Sequence, residues 1–443
     1  MRLMPAAVVV AAVLAALPLR AQGPAPVFPY PVETLALENG LRAYLVKAGA
    51  PGQVAYLTVV RTGSRDEVEA GKSGFAHFFE HMMFHGTEKY PDYDNETTKI
   101  GAFRNGTTNQ DRTFYYLVAN SGYLDKIADI EADRMQRLKY SEEEFKIEAG
   151  AILGEHQQGA REPARVLNEK VRETIFLKHP YGHTTIGYEA DVRAMPQGYA
   201  YSKAFYDHFY RPENTVVIIA GDFDVEKAKG LIRTHYGGWS RGYQPAAIAA
   251  EPPQTAPRRQ AVTYPGRTLP IVAIHHRAPA WNATDRGGAA LEVLGRLAFG
   301  SNSPLYRRLV LQERRAQSLG QSFERARDPY VVTVQAMASR PEDAAPVEAD
   351  IVAEIGRYQR DLVEPQRLAD AKRNIKYGFL MGLESALDIG AALIQPLVNT
   401  GGVEALEEYF RTLDAVTPED VREAARQYLV ETGRTTIVMT QGS

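Results

Sequence analysis

His77-Phe78-Phe79-Glu80-His81 places two imidazoles and a carboxylate within five residues. On a helix, His77 and His81 would share one face, one turn apart, with Glu80 on the same side. Two neutral imidazoles so arranged bind one divalent ion. A carboxylate beside the ion's open position takes a proton from water. The order H-x-x-E-H is the inverted form of the zinc-binding pattern H-E-x-x-H.

Such a site needs a third ligand. His85 continues the four-residue spacing, but it would lie about 12 Å along the helix axis from His77. Ligands must sit about 2 Å from the metal, so His85 is expected to be a neighbour only. Glu148 and Glu155, seven residues apart, would share a face of a second helix. They would be about 10 Å apart along it, so only one is expected to ligate directly. Residue types and spacing leave the two open.

The elements that position these groups follow from periodicity. Ser73–Phe84 reads as a buried helix stopped at Gly86-Thr87, and Ser141–Arg161 as the helix bearing the glutamates. Leu35–Val46 and Gln53–Thr62 read as paired strands with turns at Asn39-Gly40 and Pro51-Gly52. Arg112–Ala119 and Val216–Ala220 read as further strands, and Tyr123–Leu138 and Val225–Tyr236 as helices. A Pro- and Ala-rich stretch over residues 245–258 reads as a linker between a catalytic domain, 28–244, and a second domain, 259–443.

The second half repeats the plan. Ala261–Tyr264 and Ile271–His276 read as strands. Thr284–Phe299 reads as a helix equivalent to that of His77, with Ala289, Leu291 and Leu294 in place of the metal residues. Both halves close on a helix, a Tyr (Tyr210, Tyr428) and an apolar strand. A duplicated α+β domain with its chemistry in one copy is expected.

Composition bounds the rest. The chain has 443 residues, 44% apolar and 24% charged, with a net charge of −3. No basic run supplies the footprint a nucleic acid demands. There is no cysteine, so disulfides, thiol catalysis and Cys-held metals are excluded. Residues 1–21 have a basic start, the apolar run Ala6–Leu17 and a small residue at Ala21. They read as a secretory signal peptide, too short for a span of roughly 20 apolar residues. Export to the periplasm or exterior is expected.

The chain resembles the pitrilysin/insulinase family of zinc metallopeptidases, which includes the mitochondrial processing peptidase. The motif continues as Met82-Met83-Phe84-His85-Gly86-Thr87, like the family's M-x-F-x-G-T. Glu148-Ala-Gly-Ala-Ile-Leu-Gly-Glu155 fits the family's two glutamates seven apart. Gly101–Tyr116, His179–Gly182 and Phe209–Asn214 resemble further family segments, with Gly106 where Ala is usual.

The resemblance implies two tandem homologous α/β-sandwich domains forming a clamshell around a chamber. It implies one zinc ion per chain on His77, His81 and Glu155, Glu80 as proton acceptor, and Glu148 supporting a ligand from behind. It implies a peptide substrate added as a strand at a sheet edge that holds Asn105, Gly106, Thr107 and Thr108 and the start of the Arg112–Ala119 strand.

One departure stands out. Self-sufficient family members carry Arg and, seven residues on, Tyr in a second-domain segment resembling S-R-L-x-x-x-L-R-E-x-x-G-L-A-Y-S. Here Val310 and Gln317 hold those positions. Heterodimeric relatives place zinc in one subunit and Arg/Tyr in the other. The expectation is therefore a zinc endopeptidase subunit that needs a homologous partner. The alternative is a family member without activity that serves in binding or assembly.

Overall fold

The computed structural model describes residues 26–49 and 51–442, so the expected signal peptide lies outside the described residues. Two mixed sheets organise the chain. The first contains β1 (Val32–Ala36), β2 (Arg42–Lys47), β3 (Gln53–Val60), β4 (Phe103–Thr108), β5 (Thr113–Asn120) and β6 (Thr215–Gly221), in the order β1-β2-β6-β3-β5-β4. The second contains β7 (Arg258–Tyr264), β8 (Ile271–Arg277), β9 (Ala316–Phe323), β10 (Val331–Ala338) and β11 (Thr435–Gln441), in the order β7-β11-β8-β10-β9.

The sheets superpose in topology. β2 and β6 pair in parallel, as do β7 and β11, and every other pairing is antiparallel. The last strand of each domain therefore inserts beside the first strands. From Trp239 to Pro257 the chain forms neither helix nor strand.

The inserted strand corrects one expectation. Asn39-Gly40 does turn β1 into β2, but β2 and β3 are not neighbours, because β6 lies between them. A run such as Thr215–Gly221, buried at every position, satisfies a strand with neighbours on both sides and layers on both faces. Sequence adjacency could not reveal that insertion.

Alternation assigns the faces. Ala43, Leu45, Val54, Tyr56, Val217 and Ile219 face one core, built with the first domain's own helices. Tyr44, Val46, Ala55, Leu57, Ile218 and Ala220 face another, which contains Ala386 and Ile389 of the second domain. There Gly390 lies so close that a Cβ would stand 2.8 Å from Leu57 Cδ1. Reciprocally, Leu167, Val171 and Ile175 of the first domain pack on Val262, Ile271, Ile437 and Met439 of the second sheet. Each domain lends a helix to the other's sheet. At about 25 cal/mol per Å² of apolar surface, these shared layers bind the halves into one unit.

β4 and β9 each form one edge of their sheet, paired on one side only, with β1 and β7 at the opposite edges. The strand expected at the substrate edge from Arg112, β5, lies inside the sheet between β3 and β4. No helix among the described residues is long and apolar enough to cross a membrane.

Candidate metal centre

The motif helix runs Phe75–Met82. Its apolar side (Phe75, Phe78, Phe79, Met82) is buried, with Phe79 stacked on Phe205 at 5.2 Å between ring centroids. His77, Glu80 and His81 face outward and are half-buried. The helix begins at Gly74, φ 94°, which offers no side-chain cap. The buried carboxylate of Glu67 takes that role, accepting from Gly74 N at 2.8 Å and Ala76 N at 2.6 Å. Burial nevertheless pushes the Glu67 carboxyl up to about 8.

The second helix runs Glu142–Gly159, with Ser141 and Glu144 forming a reciprocal cap. It packs on the motif helix and presents both glutamates to it. His77, His81 and Glu155 each offer one ligand atom, all within 4.8 Å of one another. Glu155 Oε2 lies 3.6 Å from His77 Nε2 and 3.7 Å from His81 Nε2. Tetrahedral ligands at about 2.0–2.1 Å from zinc stand about 3.3 Å apart, so the three atoms are close to a zinc-binding spacing.

Electrostatics favour the ligating forms of two of the three. Burial holds His77 neutral, its pKa lowered to about 4. Glu155 is kept ionised: burial opposes this, but the hydrogen bond and charge of Arg165, with His81 nearby, outweigh it. Arg165 Nη2 donates to Glu155 Oε1 at 2.7 Å, leaving Oε2 toward the imidazoles. For His81, burial is overcome by Glu148, and the pKa rises. A metal would have to displace that proton.

Glu148 does not join the ligand triangle. Its Oε1 stands 2.7 Å from His81 Nδ1 and its Oε2 3.1 Å from His85 Nε2. Those two donors hold it at about 2. His85 is thus a hydrogen-bonded neighbour of the site.

Glu80 faces β4. Burial raises its pKa, against donation from Thr108 and the charge of His81. A Cβ on Gly106 would lie 3.0 Å from Glu80 Cγ, so a side chain there would press on Glu80 and the neighbouring rings. Asn105 is exposed, and its Oδ1 accepts from Gly106 N at 2.9 Å. With Glu80, His81 and Glu148 it lines a cleft of about 710 Å³ that also carries Asp92, Asp94 and Glu144. Thr107 is exposed on the same strand, and Thr108 is half-buried.

Sequence reasoning missed Glu67 and Arg165. Neither belongs to the metal pattern, and each acts across a turn whose shape spacing does not encode. It also misplaced the second domain's counterpart. Ala289, Leu291 and Leu294 are all buried in the core. The buried pairs Phe78-Phe79 and Met82-Met83, then Phe84, match Val293-Leu294 and Leu297-Ala298, then Phe299. Glu292 and Arg296 therefore stand at the places of His77 and His81.

Comparison with known proteins agrees with this geometry. The profile of the Insulinase (Peptidase family M16) family matches residues 46–189, and that of the Peptidase M16 inactive domain matches residues 199–375. The chain is 27% identical over 415 residues to the zinc protease PqqE of Helicobacter pylori, covering 92% of each. It is 26% identical over 412 residues to the mitochondrial-processing peptidase subunit beta of Bos taurus, covering 89% of this chain and 81% of that one. The crystal structure of a protease from Helicobacter pylori superposes with a TM-score of 0.85 at 26% identity, covering 93% of this chain and 99% of that one. Two matched profiles in tandem, two homologous α+β domains and an inverted histidine–glutamate motif together mean that this chain belongs to the insulinase family of peptidases, family M16.

Proposed function

We propose that the chain is a zinc-dependent endopeptidase acting on peptides or unfolded polypeptide segments, and that it is the zinc-bearing half of a two-chain enzyme. The convergence of His77, His81 and Glu155 beside Glu80 and an unpaired strand edge carries this reading.

His77 and His81 would hold the ion through Nε2 and Glu155 through Oε2. Bound there, zinc would supply Lewis acidity toward water and the scissile carbonyl. A substrate strand added along β4 would present its backbone beside Glu80, with Asn105 and Thr107 on the exposed side. Glu80 takes the proton of the attacking water and returns it to the departing amine. Its burial raises its proton affinity, which suits both steps. Glu148 fixes the His81 ring through Nδ1. The carboxylates of the cleft favour substrates with basic side chains.

The pairing rests on Val310 and Gln317. Arg314 supports the register that puts them at the Arg and Tyr positions. It is the only non-glycine residue with positive φ among the described residues, at 54°, and the family segment has glycine there. Gln317 binds Ser339 Oγ at 3.1 Å on the outer strand β9. The name of the Bos taurus relative, a subunit, is consistent with such an assembly. The leader-like residues 1–21 support export.

The test is reconstitution. The purified chain is expected to bind zinc and cleave labelled peptide poorly. A homologous chain that carries Arg and Tyr but lacks H-x-x-E-H should raise the rate about 100-fold or more, the scale of a lost oxyanion donor. Glu80→Gln in the mixture should keep zinc and abolish turnover. Full activity from the homogeneous chain would overturn the pairing, and cleavage by Glu80→Gln would remove Glu80 from its role. The missing Arg/Tyr pair also favours a second reading, a binding or assembly subunit without activity. Chelator-insensitive silence with every partner would select it.

A further inference from the structure

In the second domain, helix Arg286–Phe299 packs on helix Pro365–Met381 as the motif helix packs on Glu142–Gly159. Both pairs hold the same place in their domains, before and after the outer hairpin. In the register given above, Arg296 stands at His81 and Glu292 at His77. Counted from the first helical residue, Ala371 and Gly378 stand where Glu148 and Glu155 do. The metal site's counterpart has thus lost both carboxylates of its second helix.

What replaces it is a cavity of about 1110 Å³, and Glu292, Arg296, Ala371 and Gly378 all line it. Five guanidinium groups surround this space: Arg296, Arg307, Arg325, Arg367 and Arg373. Only two carboxylates share it. Glu292 pairs with the half-buried Arg325 at 3.1 Å, and Asp370 pairs with Arg373. Among the described residues, no carboxylate comes within 4.0 Å of Arg296, Arg307 or Arg367; Arg367 Nη2 donates to the Leu297 carbonyl at 3.3 Å, but none of the three charges is neutralised by an ion pair. They come from three separate elements: Arg296 from the first helix, Arg307 from the head of the short helical segment Arg307–Gln312, and Arg367 from the second helix. Tyr377, Phe379 and Phe410 add aromatic wall.

We propose that this cavity binds an acidic segment of polypeptide. Guanidinium forks match carboxylates in bidentate geometry. Three forks without a carboxylate partner, on separate elements, suit spaced side-chain carboxylates better than one compact dianion. The volume exceeds the roughly 300–1,000 Å³ of small-molecule sites, and the aromatic wall accepts intervening apolar side chains. The duplicated fold would then hold an acidic cleft at the metal centre and a basic one at its counterpart. The ligand class rests on the peptidase reading above, but the binding does not require cleavage.

The test is fluorescence anisotropy with full-length Glu80→Gln chain and labelled oligoglutamate, with labelled oligoglutamine as reference. Oligoglutamate is expected to bind at least about ten-fold more tightly, the weight of one charge-assisted hydrogen bond. Arg296→Gln/Arg307→Gln should weaken it by about the same factor. Both side chains are exposed, so folding should survive, as checked by thermal melting. Arg193→Gln, an exposed arginine of the first domain outside the cavity, should change nothing. Equal binding of the two peptides, or an unchanged double variant, overturns the proposal. So does tripolyphosphate binding at the cavity without peptide discrimination. Because zinc and turnover play no part in the readout, failure here is distinct from failure of the peptidase reading.

Discussion

Glu148 Oε1 lies 2.7 Å from Nδ1 of His81, on the side of the ring away from Glu155. That contact puts the imidazole proton on Nδ1 and leaves the Nε2 lone pair for the metal. Outer partners of this kind are worth about 10–100-fold in metal affinity. Glu148→Ala should therefore weaken zinc binding by about that factor with little change in thermal stability, as measured by competition with a chromophoric chelator. An unchanged affinity would mean that the ring needs no such support.

Glu67 supplies a pH dependence of folding. Its carboxyl is buried against the start of the motif helix, with Asp66 and Asp191 nearby and His183 Nδ1 3.8 Å away. Its folded pKa of about 8 lies above the ordinary carboxylate value of 4.5. Between those values the folded state holds a proton that the unfolded chain has released. Stability from this group is therefore present below about pH 4.5 and lost as pH rises toward 8, by up to about 1.4 kcal/mol per unit. Denaturant melts from pH 5 to 8 should fall more steeply for the wild type than for Glu67→Gln. Parallel slopes would contradict the assignment.

The close passage of β4 past Glu80 predicts the effect of bulk at position 106. A Cβ there would meet Glu80 Cγ at 3.0 Å, Phe84 at 3.2 Å and Tyr115 at 3.2 Å. Gly106→Val should displace the carboxylate and cut kcat by about 100-fold, since misplacement by about 1 Å costs that much, while zinc content stays constant. Normal kcat in a zinc-replete Gly106→Val would show that β4 can yield.

Much of this site was legible in the sequence because metal ligation constrains residue type and spacing together. His77, Glu80 and His81 could be placed on one helix face, and the Glu148–Glu155 interval on another. Choosing between the two glutamates needed the family resemblance, because both share that face. The strand order was not legible, since Thr215–Gly221 carries no mark of where in the sheet it inserts. The second domain's register failed for a similar reason: Ala289, Leu291 and Leu294 are as apolar as the neighbours that in fact repeat the motif helix's buried pairs. Arg165 and Glu67 reach the site through turns, which residue intervals do not describe.

Arg314 offers a stability test of the segment that lost its Arg and Tyr. It holds φ 54°, a region that costs an L-residue about 1–2 kcal/mol. Glycine removes that cost but gives back about 0.4–1 kcal/mol in unfolded-chain entropy. Arg314→Gly should thus be stabilising by about 0.5 kcal/mol, whereas Arg315→Gly, in ordinary backbone and bonded to Asp350 at 2.7 Å, should destabilise. Urea titrations of both variants separate them, and the reverse order would refute the register.

Zinc stoichiometry tests the central claim most directly. Chain loaded with zinc and passed over a desalting column should carry one ion per molecule by plasma mass spectrometry, and His77→Ala/His81→Ala should carry essentially none while folding normally. A zinc-free wild type, or a double variant that retains its ion, would contradict the metal centre from which the rest is argued.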